Sequence, residues 1–497
     1  MLLKKLIEIL KTFEKAELKK FRRFISSDYF NTNESVVKLF KLIAALLPAI
    51  DPDDSRLNAE VLFRKIYGSR KYDDKTYRYI LSSLYTLLEK YLAISLFEST
   101  ETEMQKFTID SLSERRLFKL AEKNLAAVEN NIEKNQLIGG EYIYNKEEIA
   151  LFWHQLYFLS NKQDPLIEKR YERGELEMFS SLVELAHIYQ IIQQVSYTYN
   201  LPLKDNAVFE YLRNINYRKL IEYIEAGEAA NKDIAVNIKL IKVLKIYLCF
   251  MITVLEIDDE QYFEKMYALI KEYSHLFGRP ELQNLHIMLS TCCIRKRRAI
   301  NEEKYLLKFF EIIKNGVAMD LYTSYSAQYM DVVNFITIFQ TSLQLGESEW
   351  AADFLRKYGE RISPEYSEDM TGYAFAELFF QKKQFERSMT SLAKVKLKLY
   401  RLKIPVKTLQ LRLFYELNYF EEAYSLIDSF SHFLVTNNKI RQEEKSNYQN
   451  FLNYYRELMK IRSGNETARL NKKFKEELKS ASLLPYKGWL LEKAGEL

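Results

Sequence analysis

FERSMTSLAKV at residues 385–395 and FEEAYSLIDSF at residues 420–430 are the stretches on which the fold turns. Phe385 precedes Ser388 by three residues, Leu392 by seven and Val395 by ten. Phe420 keeps the same distances from Ala423, Ile427 and Phe430, and the two aromatics are 35 residues apart. Ser348, Ala351, Leu355 and Tyr358 repeat these offsets 37 residues before Phe385. Ahead of the aromatics, Ala376 and Phe379 match Leu411 and Phe414. Steps of three, four and seven place each set on one face of a helix. Small residues such as Ala351, Ser388 and Ala423 let two helices approach closely, and Leu355, Leu392 and Ile427 fill the space to the next pair. One helix pair cannot bury its apolar face alone, so such pairs stack.

Composition points the same way. The 497 residues include only 13 glycines and 8 prolines, against usual shares of about 7% and 5%. That leaves little material for the tight turns of an all-β fold or for a glycine-cradled nucleotide site. A 47% hydrophobic content excludes wholesale disorder. The chain is too long for one core, so several domains or an elongated repeat are required. Helical periodicity runs from Leu3, Leu6, Leu10 and Phe13 onward, with a break near Glu14. Asn31, followed by Glu34, reads as a capping box. Gly68 reads as a helix stop, and Asp73 or Asp74 as the cap of a long helix carrying Tyr77, Ile80, Leu81, Leu84, Leu88, Tyr91 and Leu92. Val395 to Leu399 alternates with period two but is too short and isolated to outweigh the helical pattern. The expected fold is all-α: an N-terminal helical bundle over 1–100, a degenerate helical-repeat region over 101–320, and helical repeats with a C-terminal cap over 321–497.

The repeated offsets over roughly 333–434 resemble the tetratricopeptide repeat, a helix–turn–helix unit of about 34 residues. Pro364 and Pro405 sit near helix starts, as proline tolerates. The family's small residue on the first helix is Leu411 here, and Phe339 in the upstream copy. Its turn glycine is present as Gly346 but replaced by Lys383 and Asn418. The pairs 236–255 with 259–274 and 281–294 with 301–314 have matching lengths without the signature. The resemblance implies an α-solenoid of antiparallel helix pairs whose first helices line a groove. By position that groove would expose Gln340, Gln344, Tyr373, Glu377, Gln381, Thr408, Arg412 and Tyr415, a polar and aromatic surface suited to a protein segment. LKKFRRFISSDYFNTNESVVKLF near the N-terminus is similar to the start of a family of uncharacterised bacterial proteins, which brings no activity with it.

Lys and Arg number 73 and Asp and Glu 68, a net charge of +5, so overall charge makes no case for nucleic acid or membrane. Local segregation occurs twice. Arg295-Lys296-Arg297-Arg298 reads as a solvated inter-helix turn. Between Arg387 and Tyr415 there are eight basic residues and no acidic one. Lys394, Lys398 and Arg401 are expected on one helix face, with Lys403 and Lys407 extending the basic stretch. Cys249, Cys292 and Cys293 form no disulfide framework, and buried thiols in a reducing compartment are expected. The N-terminus is broken by Lys4, Lys5 and Glu8 and reads as no signal peptide. The longest charge-free apolar run, 246–255, falls short of a membrane span.

No G-x-x-x-x-G-K-[ST], G-x-G-x-x-G, H-E-x-x-H, G-x-S-x-G or C-x-x-C occurs. None of His154, His187, His275, His286 and His432 has a histidine partner one helical turn away. Asp258-Asp259, Glu302-Glu303 and Glu421-Glu422 sit where they favour helix N-termini. The expectation is a cytoplasmic, non-enzymatic scaffold that binds a protein partner, with no cofactor and no metal. The alternatives are a nucleic-acid-associated regulator using the basic stretch 387–412 and an enzyme whose site is dispersed over several helices.

Overall fold

Helix dominates, as the periodicity requires. The computed structural model describes residues 2–47, 54–135, 137–204, 206–229, 238–300, 303–323, 329–397, 402–462, 468–481 and 484–497. Among them are twenty-four α-helices and three short 3-10 turns, with β-structure limited to isolated bridges. Val395 to Leu397 is irregular, while Lys398 and Leu399 lie outside the described residues. The chain divides into two compact units, Met1–Asn131 with Gln155–Lys162, and Ile132–His154 with Gln163–Leu497.

The first unit contains α1 (Leu2–Lys11), α2 (Lys15–Ile25), α3 (Glu34–Ala44), α4 (Ala59–Tyr67), α5 (Asp74–Ser99), α6 (Glu101–Glu114) and most of α7 (Phe118–Asn135). Its main core joins Leu6, Phe21, Phe40, Leu84 and Leu88. α5 is long and apolar enough to cross a membrane by length and composition. Here its Tyr77, Ile80, Leu84 and Leu88 face is buried in that core, and Leu92 is exposed. The cap of α3 is Asn33, whose side chain accepts from Ser35 N at 3.0 Å. Asn31 instead ties the preceding turn, donating to the Ile25 carbonyl at 2.8 Å and accepting from Asn33 N. Asp73 caps α5, and Gly68 ends α4 with φ +68°.

The second unit follows with α8 (Gly140–Leu159, whose last residues belong to the first unit), α9 (Gln163–Tyr199), α10 (Ala207–Asn214), α11 (Tyr217–Ala229), α12 (Ile238–Leu255), α13 (Gln261–Tyr273), α14 (Arg279–Ile300) and α15 (Lys304–Ala318). It continues with α16 (Val332–Gln344), α17 (Ser348–Tyr358), α18 (Pro364–Gln381), α19 (Phe385–Leu392), α20 (Lys403–Leu417), α21 (Phe420–Thr436), α22 (Gln442–Arg462), α23 (Ala468–Ser480) and α24 (Lys487–Glu496). Helices pack pairwise, α12 on α13, α14 on α15, α16 on α17, α18 on α19 and α20 on α21. First helices of neighbouring pairs also touch, α12 with α14, α16 with α18 and α18 with α20. Ala351, Ser388 and Ala423 are fully buried between paired helices. Ser388 Oγ also donates to the Ala376 carbonyl at 2.6 Å, which joins α19 to α18.

The three hairpin turns share one geometry despite different residues. Gly346, Lys383 and Asn418 have φ of +77°, +57° and +61°. The next residue in each donates its N–H back five positions: Glu347 to Ser342, Gln384 to Phe379 and Tyr419 to Phe414, at 2.9, 2.9 and 2.8 Å. This is the six-to-one bond of the Schellman helix end, which satisfies a carbonyl that the helix leaves unpaired. A side-chain-bearing residue in the left-handed region costs about 1–2 kcal/mol. Lys383→Gly is therefore expected to stabilise the chain by up to about 1 kcal/mol after the extra unfolded-state entropy of glycine, read as a higher urea midpoint. Ala423→Leu, which forces bulk between α20 and α21, should lower stability by about 1–3 kcal/mol in the same measurement.

Candidate functional site

Four of the residues expected along the groove meet in a single hydrogen-bonded line. Gln340 on α16 donates from Nε2 to Tyr373 Oη on α18 at 2.9 Å. Tyr373, one turn before Glu377, donates to Glu377 Oε1 at 3.0 Å. Arg412 on α20 donates from Nη2 to the same oxygen at 2.6 Å. Glu377 and Arg412 are 35 residues apart, the period of the repeat, so equivalent positions on successive first helices bring the charges together.

The line is sealed, which corrects the expected exposure. Arg412 is only 2% exposed, and Tyr373, Glu377, Thr408 and Tyr415 are likewise buried. Gln340 is half-buried, while Gln344 and Gln381 are exposed near the helix ends. Thr408 is turned back on its own helix, where Oγ1 donates to the Ile404 carbonyl at 2.8 Å. The cover is the chain's own C-terminal segment. Tyr486 lays its ring 4.1 Å from the Arg412 guanidinium, which also lies 4.6 Å from the Phe380 ring. Trp489 packs edge-on against Tyr415 and stacks on Tyr455. Its indole N–H donates to Glu416 at 3.0 Å. Lys493, buried on α24, pairs with Glu416 at 3.0 Å and Glu496 at 2.9 Å. Sequence reasoning missed Tyr486, Trp489, Lys493 and Glu416. Their signal was Trp489 and Lys493 one turn apart, an indole donor and a cation that both need acceptors when buried.

Burial works against the Arg412 charge, yet Glu377 more than compensates and its pKa is raised. Burial, with Glu377 adding, holds the Tyr373 phenol well above its usual range. Tyr486 is pushed up to about 12, mainly by burial; Arg412 opposes the shift and Glu377 supports it.

The described part of the basic stretch is not one helix face. α19 ends at Leu392, which puts exposed Lys394 in the turn beyond it, and Lys398 and Arg401 lie outside the described residues. Lys403 and Lys407 rest over Phe433 and Phe430, and burial lowers the Lys407 pKa. Arg387 lies over Phe379, and Lys396 pairs with Glu368 at 2.8 Å. The 295–298 cluster is no solvated turn, because α14 continues through it. Lys296 is fully buried and donates to the Ile257 and Asp259 carbonyls at 2.6 and 2.5 Å, and Arg295 donates to the Val254 carbonyl at 3.1 Å. Arg295 thus bonds the last turn of α12 and Lys296 the loop that follows it.

A second polar cluster joins α9, α12 and α14: the buried Tyr247 donates to Glu281 at 2.5 Å and also bonds His187. Cys249, Cys292 and Cys293 are free and buried, and burial pushes the first two up to about 12. Among the described residues no three His, Cys, Asp or Glu side chains are grouped to hold a metal ion.

No protein-family model, curated protein or solved structure matches the chain.

Glu377→Ala should destabilise the chain by about 3–5 kcal/mol, since it strands a buried guanidinium. Glu377→Met with Arg412→Leu should cost far less, and urea unfolding of the single and double variants measures the difference. The Tyr486 pKa is raised in the folded state, so its contribution is complete below pH 10, the ordinary phenol value, and is lost as the pH climbs to about 12. Release of the C-terminal segment, followed by Trp489 fluorescence, should fall in that window in the wild type and lose its upper part in Tyr486→Phe.

Proposed function

We propose that this chain is a non-enzymatic interaction scaffold of tetratricopeptide-like hairpins, and that the face shared by α16, α18 and α20 receives a helical segment of a protein partner. One observation carries this reading: α20, at the end of that face, already holds residues 486–493 of the same chain, with Tyr455 of α22 on the far side. The grip consists of aromatic stacking on Arg412, Tyr415 and Tyr455, and of an indole and a lysine bound to Glu416. A partner helix fits if it presents an aromatic residue, a second aromatic three positions on and a lysine four beyond that. This is helix-in-groove recognition with the anchors on one side of the ligand.

Apart from the exposed Lys394, the described cations of the basic stretch lie against the protein's own rings and carboxylates, which favours a protein segment over nucleic acid as the occupant of this part of the molecule. The unpaired, buried thiols support the accompanying proposal of a cytoplasmic location.

A labelled peptide with the sequence of residues 484–497 tests the receptor face. Trp489→Ala with Lys493→Ala in the full chain loosens the resident segment without touching the receiving helices. Fluorescence anisotropy should show this variant binding the peptide at least about tenfold more tightly than the wild type, whose face is filled. Equal, undetectable binding to both would remove the proposal.

A further inference from the structure

Residues 1–47, about a tenth of the chain, hold ten Lys and Arg against five Asp and Glu, an excess equal to the net charge of the whole protein. Much of that excess lies on α2. Lys15, Lys19, Lys20, Arg22 and Arg23 are all exposed. At 100° per residue they fall on one broad side of the helix. The other side, Leu18, Phe21 and Ile25, is packed into the core of the first unit. None of the five cations is paired with a carboxylate among the described residues, whereas Lys296, Arg295, Lys396, Lys407 and Arg412 are engaged by carbonyls, carboxylates and rings. Like charges one turn apart, Lys15 with Lys19 and Lys19 with Arg23, repel and work against the helix. An arrangement that opposes folding is explained by a polyanion that relieves it.

The end of the same helix supplies a ring. The turn after Ser26, tied by Asn31 to the Ile25 carbonyl, stacks Phe30 on Phe24 with centroids 4.1 Å apart. Tyr29 stands edge-on to Phe30 and is 86% exposed. Lys90 sits over the Phe30 ring at 5.2 Å. A flat, exposed phenol held by a rigid aromatic pair at the end of a row of cations is the combination that single-stranded nucleic acid uses: cations for the phosphates and a ring on which a base stacks. Lys15 to Arg23 spans about 12 Å along the axis, the length of roughly three to four stacked nucleotides at 3.4 Å each. The apolar side of α2 is consumed by the core, so the helix has nothing to insert into a lipid surface, as an interfacial helix must.

We propose that the exposed side of α2, with Tyr29, is a binding site for single-stranded nucleic acid, with Lys19, Lys20, Arg22 and Arg23 on phosphates and Tyr29 on a base. The site belongs to the first unit and stands independently of the receptor face on α16, α18 and α20.

The test uses the full chain and a fluorescent single-stranded oligonucleotide, read by anisotropy. Four phosphate contacts give a log–log salt slope of about −2.8, an affinity loss of about 50-fold between 50 and 200 mM salt. Lys19→Gln, Lys20→Gln, Arg22→Gln and Arg23→Gln together, all exposed positions, should flatten that slope while the circular dichroism spectrum stays that of the wild type. Tyr29→Ala should weaken binding about tenfold and leave the slope unchanged. The proposal is overturned by no binding at about 50 mM salt, or by a quadruple variant that is folded and binds like the wild type. Equal or tighter binding to a duplex or to polyglutamate overturns it too, as does capture by anionic phospholipid vesicles in place of the oligonucleotide.

Discussion

A guanidinium sealed from water must have a carboxylate facing it, and in this protein the two come from different repeats. Arg412 on α20 and Glu377 on α18 satisfy each other only when the hairpins stack in register, since a slip of one turn would separate them by more than a hydrogen bond. Breaking such a pair costs several kcal/mol because the surviving charge stays buried. The pair therefore does more to fix which face meets which than to add net stability. Tyr373 and Gln340 extend the same constraint to α16. The Tyr486 and Phe380 rings both lie against the guanidinium, and the Tyr486 contact links this pair to the C-terminal segment.

The hairpins were legible where the physics is local. Ala351, Ser388 and Ala423 recur at repeat spacing because two helices at close approach leave no room for more, and all three are buried. The adjacency of Gln340, Tyr373, Glu377 and Arg412 followed from the same period. Their burial did not, because it depends on Tyr486 and Trp489, many residues away in sequence and outside the repeat. The 295–298 cluster misled for a related reason. Four cations in a row look solvated until the carbonyl end of α12 is seen beside them. At the turn before α3, Asn31 and Asn33 both have side chains able to cap. Backbone geometry, not residue type, gives the cap to Asn33.

Scarcity of glycine did not prevent left-handed helix ends; it moved them onto other residues. Arg116, Asn161, Asn200, Asp320, Lys383 and Asn418 all have positive φ, beside Gly68 and Gly346. In each case the next N–H reaches back five residues, from Leu117, Lys162, Leu201, Leu321, Gln384 and Tyr419. Asn and Asp accept this conformation at lower cost than Arg or Lys. The shared bond shows that geometry is conserved between repeats of this chain where the residue is not, which is why a pattern keyed to glycine sees only one of three hairpin turns.

The order of synthesis gives the C-terminal lid a temporal meaning. Tyr486 leaves the ribosome 74 residues after Arg412, an interval of roughly 4–15 s at ordinary elongation rates. During that interval the nascent chain has its Arg412–Glu377 pair and the Phe380 ring but not the Tyr486 ring, and the surface that residues 486–493 later cover is open. On the reading proposed above, a partner segment that arrives in that interval meets the surface with no internal competitor, whereas a later one must first displace residues 486–493. On the same reading, loading during translation is the low-barrier route onto that face.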